Sequence, residues 1–272
     1  MAKTNKELAY LHELFVATDW SERFAELIDQ HVKMPKEGKV LYLAAGTGGH
    51  AIALQERSSD SLEFLCIEEN EESLELARAK ATVLGDAVKF QQGKVDHIPS
   101  PDNNFDVVIG DGSLVHAGRI PGMLREMVRV AAPNAVVALT LPTFSSFGEF
   151  FSIYWEALHN SGLTKHESAV EGLISKLPSV FAVEQMAEEA GLSDVESWTR
   201  IEELDYDSGE AFLSSPLVSD FLMPGWLRSL PERSYEEVAN EIGRLINEEP
   251  HEAEFSLSFK ATLVVGKKAL VQ

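Results

Sequence analysis

Residues 40–45 form a short apolar run, Val-Leu-Tyr-Leu-Ala-Ala. It breaks into Gly46-Thr47-Gly48-Gly49 and resumes with Ala51, Ile52 and Leu54 at helical spacing. An unbroken apolar run reads as a strand buried on both faces, the glycines as a tight turn, and the spacing after them as a helix. Gly46, Gly48 and Ala51 satisfy G-x-G-x-x-G/A, and Glu68 follows 22 positions after Gly46, where the next apolar run ends. Strand, glycine turn, helix and strand-end acid together bring bare backbone N–H groups and a carboxylate to one ligand. The glycines alone would suit a plain tight turn. The context favours an adenosine-containing ligand.

Further apolar runs at residues 62–67, 88–91, 107–109 and 135–141 alternate with helical patterns, among them Leu74, Leu76, Ala77, Ala81 and Leu84, and Met123, Leu124, Met127 and Val128. Buried runs alternating with helices predict an α/β fold with a parallel sheet covered on both faces. A helix around residues 183–190, a sixth strand at 195–204 and a last strand at 255–265 follow. Without repeats or a low-complexity linker, residues 1–272 read as one domain. Its parts are N-terminal helices (1–38), a cofactor-binding half (39–141), a second half (142–204), a helical cap insertion (205–253) and a final strand (254–272).

Composition narrows the partners. Lys+Arg number 23 against 44 Asp+Glu, a net charge of −21, with no basic cluster. Nucleic acid and anionic membranes need a basic footprint, so neither is expected as a partner. The longest uncharged stretch, residues 130–148, is broken by Pro133 and Pro142 and spans no membrane. The lone Cys66 excludes an internal disulfide and fits a reducing, cytoplasmic compartment. The N-terminal segment mixes Lys3, Lys6, Glu7 and Glu13 into its apolar residues, so no signal-peptide core is expected. The histidines show no H-E-x-x-H spacing, so no metal is expected, and the hydrolase and P-loop signatures are absent.

Dinucleotides and S-adenosylmethionine share the glycine-turn arrangement. Val40-Leu41-Tyr42-Leu43-Ala44-Ala45-Gly46-Thr47-Gly48, Cys66-Ile67-Glu68 and Gly93-Lys94-Val95-Asp96-His97-Ile98-Pro99 resemble three successive motifs of class I S-adenosylmethionine-dependent methyltransferases, small-molecule branch. Asp102-Asn103-Asn104-Phe105-Asp106, Leu124-Arg125-Glu126-Met127 and the last strand extend the likeness. The resemblance implies a Rossmann-like, seven-stranded, mostly parallel sheet with the last strand antiparallel, helices on both faces and a helical cap. It also implies S-adenosylmethionine as cofactor, S-adenosylhomocysteine as product and a small-molecule acceptor. Carried over by position, Ala44, Ala45, Gly46, Thr47 and Gly48 would line the methionine moiety. Glu68, with Glu69 beside it, would hold the ribose hydroxyls, Lys94 and Val95 would border the adenine, and Gly110 and Asp111 would flank the methionine end.

The chain departs from that pattern in four places. Tyr42 stands where the family has an acid, which removes an acceptor from the site. Ala44 replaces a glycine, which an alanine tolerates if its φ stays negative. Lys94 replaces an acid near the adenine, and Asn134-Ala135 a glycine pair. A non-catalytic binding or assembly protein with this fold, and a nicotinamide-dependent oxidoreductase, are the alternatives.

Methyl transfer is an in-line displacement that depends chiefly on alignment. Where the acceptor must lose a proton, Asp111 and His116, on the loop after the fourth strand, are the candidate bases. The stripe Phe147, Phe150, Phe151, Tyr154 reads as a helix packed in a core. The apolar residues within 205–253 read as a lid or as the contact of a homodimer.

Overall fold

The computed structural model describes residues 3–83, 85, 87–248 and 255–270. Leu84, His251 and the outermost positions of segments 1–38, 205–253 and 254–272 lie outside them. The chain divides into two compact units, one of Met1–Leu141, Ser179–Thr199 and Ala261–Gln272, the other of Pro142–Pro178 and Arg200–Lys260.

The apolar runs become β1 (Gly38–Leu43), β2 (Leu62–Glu68), β3 (Val88–Gln92), β4 (Phe105–Asp111) and β5 (Ala131–Pro142), followed by β6 (Leu192–Tyr206) and β7 (Phe255–Lys268). The sheet order is β3-β2-β1-β4-β5-β7-β6, six strands parallel and the last antiparallel. β1 is flanked in parallel by β2 and β4, with Leu41 beside Leu65 and Val108. Residues 40–43 are therefore all buried, which is why the run shows no polar alternation.

The first unit begins with α1 (Asn5–Leu11), set by a capping box. The Glu7 amide donates to the Thr4 hydroxyl (3.3 Å), and the Thr4 amide donates to the Glu7 carboxylate (2.7 Å). His12–Ser21 then winds as a π-helix before α2 (Glu22–His31). Such wide winding is rare and has no simple sequence period, so the sequence shows helices here but not their pitch. α3 (Gly49–Glu56), α4 (Glu71–Val83), α5 (Ile120–Val130) and α8 (Val180–Glu189) complete the unit. α5 buries Met123, Leu124 and Met127 with Leu43, Val108 and Leu139 in one core. A Cβ on Gly110 would come within 2.6–2.9 Å of Met123 and Met127, so the absence of a side chain there lets α5 sit close to β4.

The second unit holds α6 (Gly148–Asn160), α7 (Glu167–Lys176), α9 (Gly209–Ser214), α10 (Met223–Trp226) and α11 (Tyr235–Glu248). α7 is not legible in the sequence because it buries only Val170. The aromatic stripe is a core, as its spacing suggests. Phe150 and Tyr154 are fully buried, Phe150 stacks on Trp226 at 4.0 Å, and Phe212 lies 5.9 Å from Phe150. Among the described residues no helix is long and apolar enough to cross a membrane.

Phe150→Ala empties the centre of this aromatic cluster and is expected to cost about 3–5 kcal/mol of stability. Urea unfolding of the full chain, followed by tryptophan fluorescence, measures it. The same change at Trp155, which is 39% exposed, should stay within about 0.5 kcal/mol.

Candidate functional site

The glycine turn carries left-handed backbone at three places. Gly46 has φ +54° and Gly48 φ +78°, and Ala44 has φ +53°. The condition of a negative φ is thus not met at Ala44: the chain bends there as a glycine would, and the alanine bears the steric cost of its Cβ. At Gly46 no side chain fits, because a Cβ would come 2.9 Å from the His12 ring. The π-helix thus lies over the turn. It is fastened by Glu13, whose carboxylate accepts the hydroxyl proton of buried Thr47 and takes the Lys80 ammonium at 2.7 Å. Burial pushes the His12 imidazole down to about 4, keeping it neutral.

Glu68 ends β2 and reaches back to the turn. Its carboxylate accepts the N–H groups of Gly46 (2.9 Å), Glu69 (2.9 Å) and Asn70 (3.0 Å). Burial raises its carboxyl above the usual carboxylate range, while these three amides pull the other way. Glu69 points elsewhere, accepting the Val95 amide at 3.1 Å and bonding Arg119, which also grips Asp96 at 2.9 Å. The Arg119 hydrogen bonds hold the Glu69 carboxyl below its ordinary value.

A cavity of about 290 Å³ opens beside the turn, at the lower end of the range typical of small-molecule sites. Ala44, Ala45, Gly46 and Thr47 form one wall, His12 and α2 another, and Tyr42, His50 and Asp111 the floor. Glu22, Glu26, Asp29 and Asp111 face it against Arg57, a surplus of negative charge. Of the residues singled out in the sequence, Ala44 to Thr47 and Asp111 line this cavity. Gly48 caps α3, and Glu68 supports the turn from behind. Lys94 is exposed and Val95 buried, Gly110 faces Met123 and Met127, and none of these borders the cavity. Burial raises the Asp111 carboxyl, which accepts the Ser113 amide at 2.9 Å. His116 is exposed and caps a short 3₁₀ turn, its Nδ1 accepting the Gly118 amide at 3.1 Å. Cys66 is buried, and burial pushes its thiol up, which makes it a core residue without nucleophilic character. A second cavity of about 330 Å³ lies within the other unit, among Leu213, Met223, Pro224, Leu227, Tyr235 and Ala239.

The profile of a methyltransferase-domain family matches residues 35–205, more than half of the chain. The chain belongs to this methyltransferase-domain family. It is 33% identical over 121 residues to a demethylmenaquinone methyltransferase of Deinococcus radiodurans, covering 43% of this chain and 50% of that protein. It is 29% identical over 121 residues to norajmaline N-methyltransferase of Rauvolfia serpentina, covering 44% of this chain and 41% of that protein. The chain thus spans about half, or less, of the length of these curated relatives. The crystal structure of the YcgJ protein of Bacillus subtilis superposes with a TM-score of 0.60 at 17% identity, covering 92% of this chain and all of that one, which shows the shared fold.

Set against its family, this methyltransferase-domain chain brings together residues that sequence reasoning missed. His12, Glu13 and Asp29 come to the site from the N-terminal helices, and His50 and Arg57 from the two ends of α3. The one sequence cue was Tyr42 in the place of an acid, which left a polar function to be supplied from elsewhere.

Two measurements follow from this geometry. Ala44→Gly should raise stability by about 0.5–1 kcal/mol, the relief of a left-handed alanine less the greater freedom of glycine in the unfolded chain; thermal unfolding reads it. For His12, folded and unfolded chains are both neutral above pH 6.5. Between 6.5 and about 4 only the unfolded chain takes up a proton, so stability falls as pH falls. The stability difference between the parent chain and His12→Gln should shrink across that window by something on the order of 2–3 kcal/mol, measured by urea unfolding at successive pH values.

Proposed function

We propose that this chain is an S-adenosylmethionine-dependent methyltransferase acting on a small molecule, with S-adenosylhomocysteine as its product. The observation that carries the reading is the cavity at the C-terminal ends of β1 and β4, bounded by the backbone of the glycine turn and lined by Glu22, Glu26, Asp29 and Asp111. The residues present fit such a cofactor. Ala44 to Thr47 turn main chain toward the cavity, and the surplus of carboxylates suits a ligand that is both sulfonium and ammonium. When bound, S-adenosylmethionine supplies an electrophilic methyl group.

The chain's own residues then have these roles. Ala44 to Gly48 present main chain to the methionine end. An ionised carboxylate offers about four acceptor sites, and Glu68 uses three on backbone amides, leaving capacity for a ribose hydroxyl. Glu69 would stand beside Glu68 at the ribose, Lys94 and Val95 would border the adenine, and Gly110 with Asp111 would flank the methionine end. Asp111, of the two candidate bases, borders the cavity, and its raised carboxyl suits it to accept a proton from an acceptor; His116 stands on the loop beyond it. Relatives named for methylating a quinone and an alkaloid support a small-molecule acceptor. The net charge of −21 weighs against a nucleic acid, the lone buried cysteine supports a cytoplasmic setting, and the apolar cavity of the second unit supports a lid or a homodimer contact there.

Calorimetric titration with S-adenosylhomocysteine tests the reading. Saturable binding is expected, and Glu68→Gln should weaken it at least tenfold, about 1.4 kcal/mol. Absence of binding at millimolar ligand, with NADH protecting the fold instead, would give the site to a nicotinamide cofactor.

A further inference from the structure

Tyr42 takes the position at which the family resemblance places an acid, and its surroundings show what replaces the lost carboxylate. The phenol is buried at the cavity floor, its oxygen 2.9 Å from His50 Nδ1 with the two rings edge to face. The other ring nitrogen, Nε2, lies 2.8 Å from Asp29 Oδ1 on α2. Arg57, at the end of α3, bonds the same carboxylate oxygen.

Protonation follows from the donor and acceptor inventory. An ionised carboxylate only accepts, so His50 Nε2 carries the hydrogen, and in the neutral ring Nδ1 is then left with a lone pair. Arg57 Nη2 stands 3.2 Å from Nε2, but two donors do not bond each other, and both converge on Asp29. With Nδ1 an acceptor, the Tyr42 hydroxyl must donate to it. The phenol's one proton is then committed, and its oxygen has only lone pairs to offer the cavity. Burial, with Asp111 close by, keeps that phenol neutral. The other carboxylates that line the cavity, Asp111, Glu22 and Glu26, are also acceptors.

We propose that Asp29 and His50 are positioning residues that turn Tyr42 into an acceptor for a primary ammonium group in this cavity, and that this ammonium is the one on the amino-acid end of the cofactor. The assignment rests on the cofactor reading above. It makes α2 a working part of the site, since Asp29 sits on it.

The test uses the full chain, its Tyr42→Phe and Asp29→Asn variants, and two nucleosides. S-adenosylhomocysteine carries the ammonium; 5′-methylthioadenosine is the same nucleoside without the amino acid. Tyr42→Phe should weaken S-adenosylhomocysteine about tenfold or more, as expected for a hydrogen bond to a charged group, and leave methylthioadenosine within about twofold, inside the spread of a neutral change. Asp29→Asn should show the same selective loss, and ¹⁵N spectra of the parent chain should show His50 protonated at Nε2 and bare at Nδ1. n-Butylamine titrated into the chain loaded with S-adenosylhomocysteine separates the two sources of ammonium. Loss of amine binding in Tyr42→Phe with S-adenosylhomocysteine unaffected keeps the ammonium acceptor but assigns it to the methyl acceptor. Equal weakening of both nucleosides, no weakening of any ligand, or a proton on Nδ1 overturns the proposal. If the parent chain binds neither nucleoside, the cofactor reading fails, and the His50 tautomer then decides for or against the relay.

Discussion

The carboxylate of Glu68 holds together the two strand-to-helix turns on which the site is built. By taking the Gly46 amide on one side and the Glu69 and Asn70 amides on the other, it fixes the end of β1 against the end of β2. These amides have no partner in the strands, and a buried unpaired N–H costs about 1–3 kcal/mol. One acid thus satisfies the backbone of a bend that the sheet alone would leave open. Everything at the cavity, from the left-handed backbone of Ala44 and Gly46 to the seat of His12, depends on that bend being where it is.

The second fastening comes from the N-terminal segment. Glu13 joins Thr47 and Lys80, and His12 occupies the space that a side chain at Gly46 would need. Two polar contacts and one steric one thereby lock the π-helix over the turn. The neutral imidazole is a consequence of the same arrangement, since a charged ring would have to be desolvated there. The N-terminal helices are thus one wall of the cavity as well as packing for the sheet.

The strands and the glycine turn were legible because each is specified locally: a run buried on both faces, a bend that needs glycine, a helix with an apolar stripe. β1, β2 and β3 fall within a few residues of the runs that predict them. Asp111 and Ala44 to Thr47 were legible by position in a motif, and they meet in one cavity. The rest of the site was not, because His12, Glu13 and Asp29 are polar residues on the N-terminal helices, where a solvated face is the ordinary reading. Only the tertiary fold carries them 21 to 67 positions along the chain to their partners. The backbone at Ala44 was not legible for a different reason. Local preference argued for a negative φ, and the geometry of the turn overrode it.

The coupling of residues 29, 42 and 50 bears on how this sequence diverges from its relatives. An aspartate at 42 would set a third carboxylate beside Asp29 and Asp111 and deprive His50 of the hydroxyl it bonds. Changing His50 alone would strand the phenol's proton. The three positions therefore form one chemical unit, in which a replacement at any one of them asks for a compensating replacement at another.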